Sequence, residues 1–217
     1  MDSIHQNLQH LRSEYAKASL DTNSIDKDPI QQFQKWFQEA VVGNIIEPNA
    51  MSLATVSADG GPSIRIVLLK GVEEGKFLFY TNYQSKKGVQ LEANPACALT
   101  FFWPELERQV RIEGSVERVS VEKSTDYFQS RPRGSQLGAW VSPQSSPVKD
   151  RSILEQRMQE MEKKFEGADT LPKPQQWGGY AVNPYLIEFW QGRPNRLHDR
   201  IEFVKTDSSW TMNRLAP

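Results

Sequence analysis

Four short stretches of this 217-residue sequence carry side chains that could do chemistry on an anionic molecule. The first is Ser85-Lys86-Lys87, at a predicted helix start. Lysines there oppose the helix dipole, but exposed N–H groups beside two ammonium groups suit a phosphate; the plainer reading is two solvated lysines. The second is Arg65-Ile66-Val67-Leu68-Leu69-Lys70, an apolar strand bracketed by cations. Alternation puts Arg65 and Lys70 on opposite faces. They serve one site only if the strand is bulged or twisted or the site lies at a subunit boundary; otherwise they cap a buried strand. The third is Tyr127-x-x-x-Arg131-x-x-x-Ser135, aligned on one helical face although Pro132 breaks the helix after Arg131. A phenol, a guanidinium and a hydroxyl together suit a phosphate monoester, and an exposed basic turn is the alternative. The fourth is Trp190-Gln191-Gly192 followed by Arg196-Leu197-His198-Asp199-Arg200. If extended, it puts Arg196, His198 and Arg200 on one side. An imidazole among guanidinium groups is favoured in its neutral, proton-accepting form. The alternative is a charged hairpin paired through Asp199 and Glu202.

Other chemistries find less support. Cys97, in Ala96-Cys97-Ala98 on a predicted strand, reads as a buried structural thiol. His5, His10 and His198 lack metal-ligand spacing, so no metal site is expected. No G-x-G-x-x-G follows a strand and there is no P-loop. Glu105, Glu107 and Glu113 read better as strand-surface carboxylates than as a hydrolase pair.

The elements that must position these residues follow from periodicity. Residues 1–27 read as an arm with a possible short helix through Leu8, Leu11 and Tyr15. Asp28-Pro29 starts a helix with Ile30, Phe33, Phe37 and Val41 at helical spacing. Strand character marks Met51–Val56, Ile64–Leu69, Phe77–Tyr80, Ala98–Phe102 and Val110–Val116, with turns at Asp59-Gly60-Gly61-Pro62 and Glu73-Glu74-Gly75. A short helix from Ser85 to about Ala93 interrupts them. Helical character returns near Ser120 and again through Leu154, Met158, Met161 and Phe165, after a Pro- and Ser-rich stretch from Ser142 to Pro147. Strands are predicted again at Tyr180–Trp190, Ile201–Val204 and Trp210–Met212. Closely spaced strands without a helix after each predict an antiparallel, mainly β barrel or sandwich with peripheral helices. The arm 1–27 and a single domain over 28–217 are expected.

Bulk properties set the boundaries. A net charge of -1 provides no field for nucleic acid or anionic membrane. No apolar run approaches the ~20 residues of a membrane span. Met1–Leu20 has no apolar core, so no secretory signal is expected. One cysteine excludes an internal disulfide and fits a reducing compartment. A cytoplasmic protein is expected.

In their order and spacing these segments, with Phe79-Tyr80-Thr81-Asn82, Glu107-Arg108-Gln109-Val110, Gln136-Leu137-Gly138-Ala139-Trp140-Val141-Ser142, Gln144-Ser145-Ser146, Ile187-Glu188-Phe189-Trp190-Gln191-Gly192 and the terminal Arg214-Leu215-Ala216-Pro217, resemble the pyridoxine (pyridoxamine) 5′-phosphate oxidases. The resemblance covers about Leu11 to Pro217. It implies an FMN-binding, antiparallel, Greek-key-like split β-barrel acting as a homodimer, with FMN at the subunit interface. It further implies oxidation of pyridoxamine 5′-phosphate or pyridoxine 5′-phosphate to pyridoxal 5′-phosphate, with O2 consumed and H2O2 released. The implied FMN contacts are Arg65, Ile66, Val67, Leu68, Leu69, Lys70, Tyr80, Thr81, Lys86, Lys87, Gln109, Gln144, Ser145, Trp190 and Arg200. Lys70, Tyr127, Arg131 and Ser135 would hold the substrate phosphate. Arg196 and His198 would face the pyridine ring as the catalytic pair, with Arg12 and Tyr15 closing over it. Lys86 stands where the family more often has arginine, and Ser13 where a second basic residue is common. A split-barrel flavin reductase, which has no need of the Tyr127, Arg131, Ser135 set, or a non-catalytic flavin- or haem-binding module, which would be yellow yet form no H2O2 with pyridoxamine 5′-phosphate, is the alternative.

Overall fold

The computed structural model describes residues 14–207 and 209–217. The chain is mainly β. Nine strands, β1 (Ala50–Val56), β2 (Pro62–Leu68), β3 (Gly71–Glu73), β4 (Lys76–Asn82), β5 (Ala96–Trp103), β6 (Arg108–Arg118), β7 (Trp177–Gln191), β8 (Asp199–Lys205) and β9 (Trp210–Leu215), pair in the order β2-β1-β5-β6-β7-β4-β3, with β8 on β7 and β9 on β8. The pairs β1–β2, β3–β4, β4–β7, β7–β8 and β8–β9 are antiparallel. The long β7 pairs with β4 through Trp177–Val182 and with β8 through Leu186–Gln191. Around these strands lie α1 (Pro29–Val42), α2 (Lys86–Ala93), α3 (Val121–Ser130), α4 (Arg133–Val141) and α5 (Ser152–Lys164). Among the described residues, no helix is long and apolar enough to cross a membrane.

The chain divides into two compact units. One is drawn from the chain up to Pro48, Thr100–Ile112 and Tyr185–Pro217; the other is Asn49–Leu99 with Glu113–Pro184. In the first, α1 begins as expected: the Asp28 carboxylate accepts from the Ile30 N–H, and Pro29 fills the first turn. Its buried face keeps Phe33 of the expected set, with Phe37 packed on Phe33 and Trp103, but departs from it at Val41. Phe33, Trp36 and Ala40 are buried, whereas Val41 is exposed. Two apolar stripes overlap in this helix, and burying the indole wins because it removes the largest apolar area from water. Phe33 packs on Phe101 (5.0 Å between ring centroids) and Trp36 edge-on to Phe189 (5.2 Å).

In the second unit, Met51, Leu53, Phe77, Phe79, Leu99 and Val182 form the sheet's buried face. Cys97 is buried and burial pushes its thiol up to about 12, so it stays protonated as a structural residue. A satellite cluster of Phe128, Leu137, Phe165, Leu171 and Trp177 is covered by Met158 and Met161 of α5. The helix α4 carries no simple apolar repeat and was not expected as a separate element; Pro132 divides it from α3.

The turn into α2 is tight. A Cβ on Gly88 would fall 2.1 Å from the Tyr83 carbonyl oxygen, a backbone atom that cannot swing aside. Gly88→Ala is therefore expected to cost about 2 kcal/mol, lowering Tm by roughly 4–8 °C in a thermal melt. An unchanged melt would mean that the turn relaxes freely.

Candidate functional site

The second unit holds a cleft of about 620 Å³. One wall is the end of β2 and its continuation, Ile66, Val67, Leu68 and Lys70; β4 supplies Tyr80, Thr81 and Asn82. The start of α2 contributes Lys87, the break between α3 and α4 contributes Tyr127, Arg131 and Ser135, and the loop after α4 contributes Gln144. The three cations Lys70, Lys87 and Arg131 line this cleft, with no carboxylate among the lining residues.

Each cation has a definite setting. The Ser85 side chain caps α2 by accepting from the Gly88 N–H, fixing the turn from which Lys87 reaches the cleft. Lys87 is buried, and its Nζ donates to Thr81 Oγ1 (3.1 Å) and more distantly to Ser85 Oγ (3.4 Å). Burial foremost, and then the charge of Arg65, lower the Lys87 ammonium to about 8. Arg131 lies over the Trp177 ring (4.7 Å to the centroid). Burial lowers its pKa, with Tyr127 opposing the shift, and its Nη1 is buried without a protein partner. A desolvated guanidinium nitrogen with no acceptor, near a buried ammonium with only hydroxyl partners, fits an incoming phosphate. The floor is aromatic: Tyr80 stacks on Tyr127 (4.0 Å, 24°) and lies parallel to Trp177 (5.5 Å, 12°). Gln144 Oε1 accepts from Thr81 Oγ1 (3.2 Å), fixing the loop to β4.

Of the residues singled out from sequence, Ile66, Val67, Leu68, Lys70, Tyr80, Thr81, Lys87 and Gln144 thus meet Tyr127, Arg131 and Ser135 around one cleft. The α3 helix ends at Ser130 and Arg131 is extended (φ -74, ψ 153), so the break, not a shared helical face, brings the last three together. Arg65 does not line the cleft; it donates to Leu53 O (3.2 Å), Thr55 Oγ1 (2.5 Å) and Gln90 Oε1 (3.3 Å). Leu69, Lys86 and Ser145 also lie off the lining. Trp177 and Asn82 do line it; Asn82 ends the segment Phe79-Tyr80-Thr81-Asn82 but is not among the residues expected to bind, and for Trp177 only its place in the fold reveals this.

The first unit holds the remaining residues. The sequence from Pro194 to Arg196 is a 3₁₀ turn, with Asn195 and Arg196 at positive φ (58° and 61°). The expected extended geometry begins only at Asp199. The prolyl ring at Pro194 fixes φ and favours the turn. Arg196 is exposed. The backbone N–H of Arg193 donates to His198 Nδ1 (3.1 Å). A backbone amide only donates, so neutral His198 carries its hydrogen on Nε2 and presents a donor there rather than a base. Its ring packs against Trp190 (4.6 Å) and lies 5.8 Å from Tyr15. Gly192 permits this approach, since a Cβ there would fall 2.7 Å from Tyr15 Cβ.

Asp199 ties the segment down, accepting from the Leu20 N–H (3.0 Å) and Arg214 (3.0 Å) and pairing with Arg193 (3.4 Å). Arg200 is paired not with Glu202 but with Glu188, through two bonds of 2.8 and 3.1 Å. Gln109 is half-buried on β6. Arg12, and the Leu8 and Leu11 part of the predicted arm helix, lie outside the described residues.

Residues 37–165 match the family model described as pyridoxamine 5′-phosphate oxidase, and residues 177–217 match that of the pyridoxine 5′-phosphate oxidase C-terminal dimerisation region. The chain is 54% identical over 212 residues to a pyridoxine/pyridoxamine 5′-phosphate oxidase of Salinibacter ruber, covering 97% of this chain and 99% of that one. It is 52% identical over 217 residues to one of Acaryochloris marina (100% and 99%). Among solved structures, PhzG of Burkholderia lata, bound to tetrahydrophenazine-1-carboxylic acid, superposes with a TM-score of 0.86 at 24% identity, covering 93% of this chain and 100% of that one. A pyridoxamine 5′-phosphate oxidase-related, FMN-binding protein of Nostoc punctiforme does so with 0.71 at 17% (89% and 100%). At those identities the structures speak for the fold alone, the split β-barrel expected from sequence. With half the sequence shared over nearly its whole length, the chain belongs to the pyridoxine/pyridoxamine 5′-phosphate oxidase family.

Proposed function

We propose that this protein oxidises pyridoxamine 5′-phosphate and pyridoxine 5′-phosphate to pyridoxal 5′-phosphate, with FMN as cofactor, O2 as final acceptor and H2O2 as by-product. One observation carries the reading: the cleft lined by Lys70, Lys87 and Arg131 holds no carboxylate, and Arg131 Nη1 is buried without a partner. Three cations without a carboxylate supply the positive charge that a phosphorylated cofactor and a phosphorylated substrate require. A flavin reductase of the same fold would need the Lys87 region but not the Tyr127, Arg131, Ser135 set.

Bound FMN would supply the acceptor for the hydride leaving the substrate C4′ carbon. The chain's own work is to hold, orient and shield. In this reading Lys87, with Lys86 and Arg65 behind it, neutralises the cofactor phosphate. Ile66 through Lys70, Tyr80, Thr81, Gln109, Gln144, Ser145, Trp190 and Arg200 complete its contacts. Lys70, Tyr127, Arg131 and Ser135 fix the substrate phosphate so that the reacting atoms meet at about 3–3.5 Å. Arg196 and His198 face the pyridine ring, with Arg12 and Tyr15 above it; His198 donates from Nε2. A homodimer with FMN at the subunit boundary is part of the proposal, as is a cytoplasmic location. The edge strand β2 supports the dimer: Ile64 and Ile66 are 71% and 65% exposed, and Ile66 also lines the cleft.

The direct test is spectroscopic. The purified protein is expected to show flavin absorption that bleaches on anaerobic addition of pyridoxamine 5′-phosphate, with pyridoxal 5′-phosphate formed. Flavin bands that persist with substrate would defeat the proposal. A donor role for His198 predicts that His198→Gln, which keeps a side-chain N–H, loses little activity, while His198→Leu loses about tenfold in kcat/KM. Equal losses in the two variants would refute it.

Lys87 also dictates a pH dependence. Its ammonium is the form that binds an anion, and it is half-deprotonated near pH 8 in the free protein. FMN affinity is expected to be steady up to about pH 7 and then to fall, by about 20-fold between pH 7.5 and 9.5. Flavin fluorescence titrations measure this, and Lys87→Met should flatten the profile; a flat wild-type profile would contradict the assignment.

A further inference from the structure

The arginine that would grip the substrate phosphate sits at a backbone break, and a break needs something to hold its angle. Of the last α3 carbonyls, that of Tyr127 accepts from the Ser130 hydroxyl (2.9 Å), and Pro132 cannot donate a hydrogen bond to any of the others. Arg131 itself is extended, with its N–H reaching only the Phe128 carbonyl (3.3 Å). One side chain from beyond the break reaches the Gln129 and Arg131 carbonyls. Gln136, in the first turns of α4 and buried, donates from Nε2 to the Arg131 carbonyl (2.8 Å) and the Gln129 carbonyl (3.1 Å). One amide group thereby ties the end of α3 and the arginine's own peptide to α4, which also carries Ser135.

The other end of that amide is informative. Gln136 Oε1 is buried with no hydrogen-bond partner. Burying an unsatisfied acceptor costs about 1–3 kcal/mol, so the residue is poorly chosen as mere filling for the cluster of Phe128, Leu137 and Trp177; a methionine would fill the volume without that cost. The geometry points to Gln136 as the positioning residue for Arg131: its NH2 group fixes the peptide of the phosphate-binding arginine, and hence where the guanidinium stands over Trp177. This rests on the phosphate-clamp reading of Arg131 given above, and deepens it.

The test uses the FMN-loaded protein and the variants Gln136→Met, similar in volume but without the donor, and Gln136→Glu, in which an acceptor oxygen replaces the donor NH2. Both are expected to raise KM for pyridoxamine 5′-phosphate about tenfold while kcat stays within twofold, a split that a general loss of structure would not give. In an Arg131→Met background the same changes are expected to add less than twofold, because the group being positioned is gone. Independently of turnover, hydrogen exchange at residues 130–136 should quicken in both variants, with the strands unchanged. Should Arg131→Met alone leave KM unaltered, the clamp reading fails. Should Arg131→Met raise KM while the Gln136 variants do not, or should their effect persist undiminished in the double mutants, the positioning role is overturned and the clamp stands. Failure of both variants to fold would also overturn it, since the side chain would then be holding the unit rather than the arginine.

Discussion

Arg131→Met is expected to lower kcat/KM for pyridoxamine 5′-phosphate by about 100-fold, chiefly by raising KM. The guanidinium is half-buried: burial lowers its pKa, and its buried Nη1 has no partner in the protein. It lies on the Trp177 face and is aimed by the extended residue at the α3–α4 break. Its hydrogen-bonding capacity is therefore in reserve for a ligand. Charge-assisted hydrogen bonds contribute about 1.5–3 kcal/mol each, and about 1.4 kcal/mol is tenfold in an equilibrium constant, so one good bidentate contact accounts for about two decades. The phosphate is remote from the reacting carbon, so the interaction is present in both ground and transition states, and its loss appears in KM. Arg131→Lys keeps the charge without the planar fork and should recover part of the loss. Removing a half-buried cation that lacks an acceptor should leave Tm at or above the wild-type value, separating a binding defect from a folding one. Steady-state kinetics beside a thermal melt measure both, and a KM within threefold of wild type for Arg131→Met would remove the arginine from the clamp.

Much of that cleft was legible in the sequence because its chemistry is written in residue types that have few other uses together. A phenol, a guanidinium and a hydroxyl suit a phosphate monoester when they converge, and the spacing of Tyr127, Arg131 and Ser135 keeps them close enough to line one cleft. The reason for their convergence was less accessible: the sequence suggests one helical face, whereas Pro132 splits the segment and α4 starts afresh at Arg133. The Asp28-Pro29 helix start was legible because capping chemistry is local. The buried stripe of α1 was not, because periodicity alone leaves two overlapping stripes and only the partner surface of Phe101, Trp103 and Phe189 selects Trp36 over Val41. Parity likewise misplaced Arg196, since a proline-initiated turn breaks the alternation that extended chain would have given. Trp177 and Gln136 escaped notice for a different reason: an aromatic ring and a neutral amide carry no chemical signature, and their importance lies in which charged group they touch.

Glu188 shows the same dependence on partners and leads to a large expected effect on stability. It is 3% exposed, on β7, and receives Arg200 through Nε and Nη2 (2.8 and 3.1 Å) and Arg111 through Nη1 (2.8 Å). Arg200 in turn donates to the Ala216 carbonyl (3.0 Å), holding the chain end beside β8. Removing one member of a buried ion pair costs about 3–5 kcal/mol, because the remaining charge has lost its partner in a place where water is scarce. Here both arginines are partly exposed, their side chains 27% and 41% accessible, so solvent can recover some of the loss. Glu188→Gln is accordingly expected at the lower end, about 3 kcal/mol, a fall in Tm of roughly 6–12 °C. Adding Arg200→Met should restore part of it, since that change removes one of the two uncompensated charges. Because Trp190 on β7 and His198 just before β8 lie within two residues of this pair, the single variant should also lose activity out of proportion to any loss of flavin. A Glu188→Gln melt within 2 °C of wild type would mean that the pair is solvated enough to be dispensable, and that the packing of Phe189, Ile201 and Phe203 alone holds the β7–β8 hairpin on which the histidine is carried.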